Sequence, residues 1–127
     1  MYKAQIDAAV FPGVLGAPQN SLLPGLAVAL KYVKTREYRE YAELCVENAR
    51  ALCEGMDFYG FRPVTGGTDT NIMVAIIRHS GVNARTLLNL AQKVNIIFNG
   101  AWLPKDTFEF GQGGIRLGTN VISSRGF

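Results

Sequence analysis

Charged residues are scarce in this chain, and the scarcity limits what the protein can bind. Only 18% of the 127 residues are Asp, Glu, Lys or Arg, below the roughly 25% of a typical soluble domain. The net charge is +3, and the basic residues are scattered rather than clustered, which argues against nucleic-acid binding. Because 48% of the residues are hydrophobic, we expect part of the surface to contact a partner.

Cysteine, histidine and long apolar runs are also in short supply. Cys45 and Cys53 fall about two helical turns apart in a segment that reads as helix, too far for an undistorted disulfide. His79 is the single histidine, so neither a metal site nor a Ser/His/Asp arrangement is predicted. With no apolar run that could span a bilayer and no signal peptide at the N-terminus, we predict a cytoplasmic protein with free thiols and no membrane partner.

The pattern of residues predicts a small α/β domain with helices packed on one face of a β-sheet. Residues 1–25, rich in proline and glycine, are predicted to be irregular. Residues 26–127 are predicted to form the domain, in which Asn83 caps a helix over 84–93 and Gly55 ends an amphipathic helix that includes 38–52. Strands are predicted at 61–64, 71–78, 94–98 and 115–121, the second of them buried on both faces, with a loop at 99–112.

Arg116 is the residue that most clearly suggests chemistry. It lies in a short apolar strand between Gly113-Gly114 and Gly118, where few side chains would keep a ligand away. A planar, permanently charged guanidinium can hold a carboxylate through two parallel hydrogen bonds. Taken by itself, the pattern fits equally well an arginine that satisfies carbonyls at a strand end or pairs with a surface acid.

Several separate segments occur in the order and spacing of one enzyme family, and together they make the chain resemble the serine hydroxymethyltransferases, which use pyridoxal phosphate. The resemblance implies the small C-terminal domain of the aspartate-aminotransferase fold type for residues 26–127, without the terminal helices of that family. Residues 1–25 match the segment that, in the family, contacts the cofactor phosphate and the second subunit of a dimer. The matching segments are Ala9 to Gly13, Gly66 to Asp69, Ile96 to Asn99, Gly114 to Thr119 and Arg125 to Phe127.

The resemblance also implies roles for individual residues. Arg116 matches the arginine that binds the carboxylate of the amino-acid substrate. Gly16 and Ala17 match a Gly-Gly pair whose backbone reaches the cofactor phosphate of the neighbouring subunit, and a positive φ at Ala17 would be costly. Phe11 matches a phenylalanine that lines the folate pocket.

The departures from the family bear on the acceptor of the reaction. The family's Asn-Lys-Asn segment, whose second asparagine contacts the folate ring, reads Asn99-Gly100-Ala101 here, with Trp102 beside it. Ser21 and Asn71 replace two histidines, and the loop before Arg116 is one residue shorter. Tetrahydrofolate use is therefore in doubt, and relatives that accept an aldehyde, such as threonine transaldolases, would fit this pattern.

The Schiff-base lysine of the family lies upstream of the matching region, so we expect no catalytic residue and no activity from this chain alone. A complete enzyme would need a lysine-bearing large domain or companion subunit, in a homo- or hetero-oligomer. It would cleave or transfer at the Cα–Cβ bond of serine, threonine or glycine, with pyridoxal phosphate as cofactor. The alternatives are a folate-independent threonine aldolase or transaldolase subunit, and a non-catalytic remnant that binds a partner.

Overall fold

The computed structural model describes residues 2–127, which divide between Thr35 and Arg36 into two compact units. The first unit contains helix α1 (Lys3–Ala8), a π-helical turn (Ala9–Val14) and helix α2 (Leu23–Val33). None of its residues from 2 to 34 is buried. In the described part of this unit, no helix is long and apolar enough to cross a membrane, and the same holds for the helices of the second unit.

The expectation of an irregular segment at 1–25 is wrong for α1 and for the first residues of α2, and Met1 lies outside the described residues. Pro12 and Pro24 do not prevent helix formation, for two different reasons. Phe11 leaves the helical region (φ −136°, ψ 125°) just before Pro12, and Pro24 stands in the first turn of α2, where its missing N–H would have no helical partner. The unit boundary falls at 35/36 rather than at 25/26.

The second unit is a small α+β domain. Its elements are helix α3 (Arg36–Phe58), strand β1 (Ile72–Ile76), a 3₁₀ turn (Arg78–Ser80), helix α4 (Ala84–Gln92), strand β2 (Asn99–Ala101), strand β3 (Gly114–Gly118) and helix α5 (Asn120–Ser123). The sheet is antiparallel throughout, in the order β1-β3-β2. β3 is therefore the central strand.

Helices α3 and α4 pack on one face of this sheet, as predicted. Met73, Ala75 and Ile115 point from the sheet into a core that also contains Cys53 from α3 and Ala84 from α4. Burial alternates along β1, so the prediction of a strand buried on both faces is wrong. The opposite face of the sheet carries side chains that these helices do not cover.

The predicted strand at 61–64 is a single bridge from Pro63 to Ala75, and the predicted strand at 115–121 ends at Gly118. Three further predictions are wrong because tertiary contacts override local preference. α3 continues through Gly55 to Phe58, since Met56 beyond that glycine packs against the core. The stretch 94–98 is not a strand, because the N–H groups of Val94 and Ile96 both bond to the Ala91 carbonyl at the end of α4. The next strand, β2, begins at Asn99 inside the segment predicted as a loop.

Local capping chemistry follows the sequence more closely. Asn83 has the extended backbone of a helix N-cap (φ −85°, ψ 164°), and its side-chain oxygen accepts a hydrogen bond from the Thr86 N–H at 3.0 Å. Both cysteines are free, as predicted, and both are buried. Burial raises the pKa of the Cys53 thiol, and the nearby Glu54 carboxylate raises that pKa further.

Candidate functional site

Arg116 lies in the middle of the central strand, on the face of the sheet that α3 and α4 leave uncovered. The register pairs Arg116 with Val74 on one side and Asn99 on the other, while the adjacent Ile115 points into the core. The side chain of Arg116 is exposed. Within residues 2–127, its guanidinium has no hydrogen bond or ion pair, so it is available to a ligand.

The pocket around Arg116 contains amides but no acid. It is a shallow cavity of about 420 Å³ whose lining includes Arg116, Phe98, Asn71, Asn99 and Asn120, with no Asp or Glu among its described residues. The Asn71 Nδ2 donates to Asn120 Oδ1 and fixes the orientation of both amides. A single cation surrounded by neutral polar groups favours an anionic ligand of small size.

A buried hydroxyl holds the end of the strand that carries Arg116. Thr119, 1% exposed, donates from Oγ1 to the Cys45 carbonyl of α3 at 2.6 Å and approaches the Asn71 carbonyl at 3.2 Å. Its N–H also bonds to the Asn71 carbonyl at 3.0 Å. The end of β3 is thereby fixed to both α3 and the start of β1.

Ala101 and Trp102, predicted for the acceptor side, lie at the end of β2. Ala101 pairs with Gly114 on β3, so its side chain is on the same face of the sheet as that of Arg116. Trp102 and Ala101 line a larger open cavity of about 1030 Å³, which shares Ile72 with the pocket of Arg116. The two predicted groups of residues therefore lie in neighbouring cavities rather than in one.

Gly100 in β2 lies close to the side chains of Gln112 and Ala84. A Cβ at Gly100 would overlap the side chain of Gln112 and stand 3.1 Å from the Ala84 Cβ. The ring of Trp102 meets that of Phe108 in an edge-to-face contact with centroids 5.6 Å apart. This arrangement places an aromatic surface beside Ala101.

Phe11, Gly16 and Ala17 belong to the first unit, which is described by itself. Phe11 is 63% exposed, and Gly16 and Ala17 are exposed in a segment without regular structure. Neither Gly16 nor Ala17 has a positive φ, so the methyl group of Ala17 causes no backbone strain in this conformation.

None of the lysines among residues 2–127 is buried. All five lysines are exposed, namely Lys3, Lys31, Lys34, Lys93 and Lys105. A lysine activated for Schiff-base chemistry needs burial or a cationic neighbour. Among residues 2–127, no group of three His, Cys, Asp or Glu side chains could hold a metal ion.

The second unit is a small α+β domain that presents the unpaired Arg116 in a pocket with no acid among its described lining residues. The whole chain, residues 1–127, matches the family profile described as serine hydroxymethyltransferase. The chain belongs to the serine hydroxymethyltransferase family.

Individual relatives agree with the family profile. Over 123 residues (97% of this chain), it is 37% identical to a serine hydroxymethyltransferase of Caenorhabditis briggsae. Over the same length it is 38% identical to a mitochondrial serine hydroxymethyltransferase of Kluyveromyces lactis and 37% identical to a cytosolic one of Neurospora crassa. The matches cover 24%, 25% and 26% of these relatives, so the chain spans about a quarter of their length.

Two residues of the site were not singled out as ligand-binding in the sequence. Asn120 follows the arginine strand and meets Asn71, which lies 49 positions earlier in the chain. No local pattern links two asparagines at such a distance. Their pairing depends on the antiparallel register of β1 and β3, which brings Ile72 opposite Gly118.

Proposed function

We propose that this chain supplies the substrate-binding small domain of a pyridoxal-phosphate-dependent, serine hydroxymethyltransferase-like enzyme. The complete enzyme would cleave or transfer at the Cα–Cβ bond of serine, threonine or glycine. The observation that carries the proposal is the unpaired guanidinium of Arg116 in a pocket whose lining includes no acid. Family membership supports the same chemistry, although the chain spans about a quarter of its relatives.

Arg116 would bind the carboxylate of the amino-acid substrate. Two parallel N–H···O bonds from a guanidinium fix both the position and the plane of a carboxylate. Because β3 is the central strand and is hydrogen-bonded on both edges, the arginine stands on a rigid base. Substrate orientation is the main contribution that such a residue makes to the rate.

The chain's residues fit one part of a pyridoxal-phosphate site. The exposed backbone of Gly16 and Ala17 would donate N–H groups to the cofactor phosphate of a neighbouring subunit, as the resemblance implies. The bound cofactor would supply the electron sink for bond cleavage. The exposed lysines do not meet the needs of a Schiff base, so that lysine would come from a large domain or a companion subunit, and this chain alone would be inactive.

The acceptor side favours a folate-independent reaction as the second candidate. Ala101 has no amide to contact a folate ring, and Trp102 with Phe108 offers an aromatic surface instead. Phe11, matched by resemblance to the folate pocket, would contribute a ring to the site of a neighbouring subunit. An aldehyde acceptor, as in threonine aldolases or transaldolases, fits these residues better than tetrahydrofolate.

Kinetics of the assembled enzyme would test the role of Arg116. We expect Arg116→Ala to lower kcat/KM for L-serine or L-threonine by about a hundredfold or more, because a charge-assisted bidentate contact to substrate is lost. Arg85→Ala is the matched control, since Arg85 is also exposed and has no ion pair within the described residues. A kcat/KM of Arg116→Ala equal to that of Arg85→Ala would contradict the proposal.

A spectroscopic measurement would test the need for a lysine-bearing partner. We expect the chain purified with its partner to show a pyridoxal-type absorbance band that shifts when L-threonine is added. The chain purified alone and incubated with pyridoxal phosphate should show no threonine-dependent shift. A threonine-dependent shift in the isolated chain would refute the inference that the lysine comes from elsewhere.

A further inference from the structure

A buried carboxylate closes the loop between β2 and β3. The side chain of Asp106 is 2% exposed. Its Oδ2 accepts one hydrogen bond from the Leu103 N–H at 2.7 Å and another from the Gly113 N–H at 2.8 Å. One carboxylate oxygen therefore joins the first turn of the loop to the residue that immediately precedes β3.

Arg78, in the 3₁₀ turn that follows β1, binds the other oxygen of the Asp106 carboxylate. Its Nη2 lies 3.1 Å from the second oxygen of Asp106, Oδ1, in an ion pair, and donates a hydrogen bond to the Pro104 carbonyl at 2.9 Å. Oδ1 has no aligned hydrogen bond among the described residues, so its charge is balanced by Arg78 alone. We call Asp106, Arg78 and the Gly113 peptide the Asp106 latch.

The Gly113 peptide is held on both sides. Its N–H bonds to Asp106, and its carbonyl accepts from the N–H groups of Ile77 at 2.9 Å and Arg78 at 3.0 Å. A Cβ at Gly113 would overlap the Asp106 carboxylate and stand 3.2 Å from the Arg78 Cβ. The glycine is thus required for the latch to close at the start of β3.

The latch fixes the strand that carries Arg116 relative to the acceptor side. Gly113 is three residues before Arg116, and Leu103 directly follows Trp102. Leu103 also packs against Gly114, where a Cβ would stand 2.9 Å from the Leu103 Cγ. A shift of either segment would break a charged hydrogen bond of Asp106 in a buried setting, which is costly.

We propose that Asp106 is a positioning residue that holds Arg116 and the segment at Trp102 in fixed register for substrate binding. This inference rests on the proposed function, because it assumes that Arg116 binds a carboxylate. Asp106 itself would touch neither substrate nor cofactor. Its effect would be transmitted through the Gly113 peptide to the central strand.

The first test is amide hydrogen exchange of the chain, which needs no activity. Asp106→Asn keeps the shape of the side chain but removes the charge that balances Arg78. We expect backbone exchange at residues 113–117 to become about tenfold to a hundredfold faster, as the loss of charged hydrogen bonds implies. Glu109→Gln is the matched control, because it makes the same chemical change in the same loop at an exposed residue.

The second test measures binding in the assembled enzyme. Glycine and methylamine differ by the carboxylate, so the Kd of methylamine divided by the Kd of glycine, read from the cofactor absorbance, measures how strongly the enzyme binds that group alone. We expect Asp106→Asn to reduce this ratio about tenfold and Glu109→Gln to leave it unchanged. A general loss of structure would weaken both ligands and leave the ratio as it was.

The outcomes separate this inference from the proposed function. Faster exchange in Asp106→Asn with an unchanged Kd ratio, while Arg116→Ala abolishes the preference for glycine, would overturn the positioning role and leave the function standing. An unchanged ratio in Arg116→Ala would instead overturn the function. If Asp106→Asn does not fold, Arg78→Gln replaces it, since it removes the charge that balances Asp106 Oδ1. An unchanged ratio there would count equally against the proposal.

Discussion

Replacement of Thr119 by valine tests how the arginine strand is attached to helix α3. The substitution keeps the shape of the side chain and removes the hydroxyl, which donates to the Cys45 carbonyl at 2.6 Å and lies 3.2 Å from the Asn71 carbonyl. Both carbonyls keep another partner: the Asn71 carbonyl still accepts from the Thr119 N–H, and the Cys45 carbonyl lies inside α3. We therefore expect a loss of about 1 kcal/mol in the free energy of unfolding, the net value of one hydrogen bond.

Two further variants divide the contribution of Thr119 between hydroxyl and methyl. Thr119→Ser keeps the hydroxyl and removes a buried methyl, which should also cost about 1 kcal/mol. Thr119→Ala removes both and should cost about 2 kcal/mol if the two effects add. For a domain of this size, 1 kcal/mol corresponds to a decrease in Tm of about 3–6 °C.

The assay is urea unfolding of the chain followed by far-ultraviolet circular dichroism. α3 is the longest helix in the structure, with 23 residues, so the signal reports the element to which Thr119 is attached. Trp102 is 54% exposed and would make a poor fluorescence probe of the core. The reasoning is refuted if Thr119→Val is as stable as the unchanged chain, because the hydroxyl would then contribute nothing to holding β3.

Two other predictions concern titratable groups. Burial of Asp106 raises its pKa, but hydrogen bonds from Leu103 and Gly113 and the charge of Arg78 lower that pKa by more, so it lies below the ordinary value of 3.8. The ionised Asp106 therefore stabilises the fold above that value, and this stabilisation is lost as the pH falls through the lowered pKa. The measurement is the difference in unfolding free energy between Asp106→Asn and the unchanged chain, from urea titration at several pH values. The neighbouring His79 and Lys105 are present in both proteins. This difference should stay constant from about pH 5 to 7 and shrink below about pH 4; a constant difference down to about pH 2 would contradict the prediction. Cys45 and Cys53 are 2% and 4% exposed, and burial raises the pKa of Cys53. We therefore expect both thiols to react with iodoacetamide at least about a hundredfold more slowly in the native chain than in urea, as measured by mass spectrometry. Equal rates in the two states would show that the core around α3 is open.

The sequence predicts well those features that depend on neighbouring residues. The Asn83 cap depends on a side chain that reaches an N–H three residues later, and the amphipathic pattern of α3 depends on helical spacing. Arg116 was found because glycines flank it and because the surrounding motif resembles one family. Its exposure and lack of a partner could not be read from either signal.

Features that depend on distant residues were missed or misplaced. Val94 to Phe98 has the composition of a strand, but its first residues are needed to end α4, and Asn95 takes a positive φ of 61° there. β2 then forms at Asn99-Gly100-Ala101, which has weak strand propensity, because β3 offers an edge and Gln112 occupies the space above Gly100. No local pattern marks Asp106 as a buried ion-pair residue, since its partner Arg78 is 28 positions away.

The closure of the loop at its base has a consequence for engineering. Residues 107–111 lie between Asp106 and Gln112 in the chain, and Phe108 among them is 97% exposed. Gln112 anchors the far end of this segment, because its carbonyl accepts from the Ala84 N–H at 2.9 Å. Since both anchors lie outside 107–111, a graft or insertion there would leave the base of the loop unchanged. This segment is therefore a suitable place to exchange loop sequences without disturbing the start of β3.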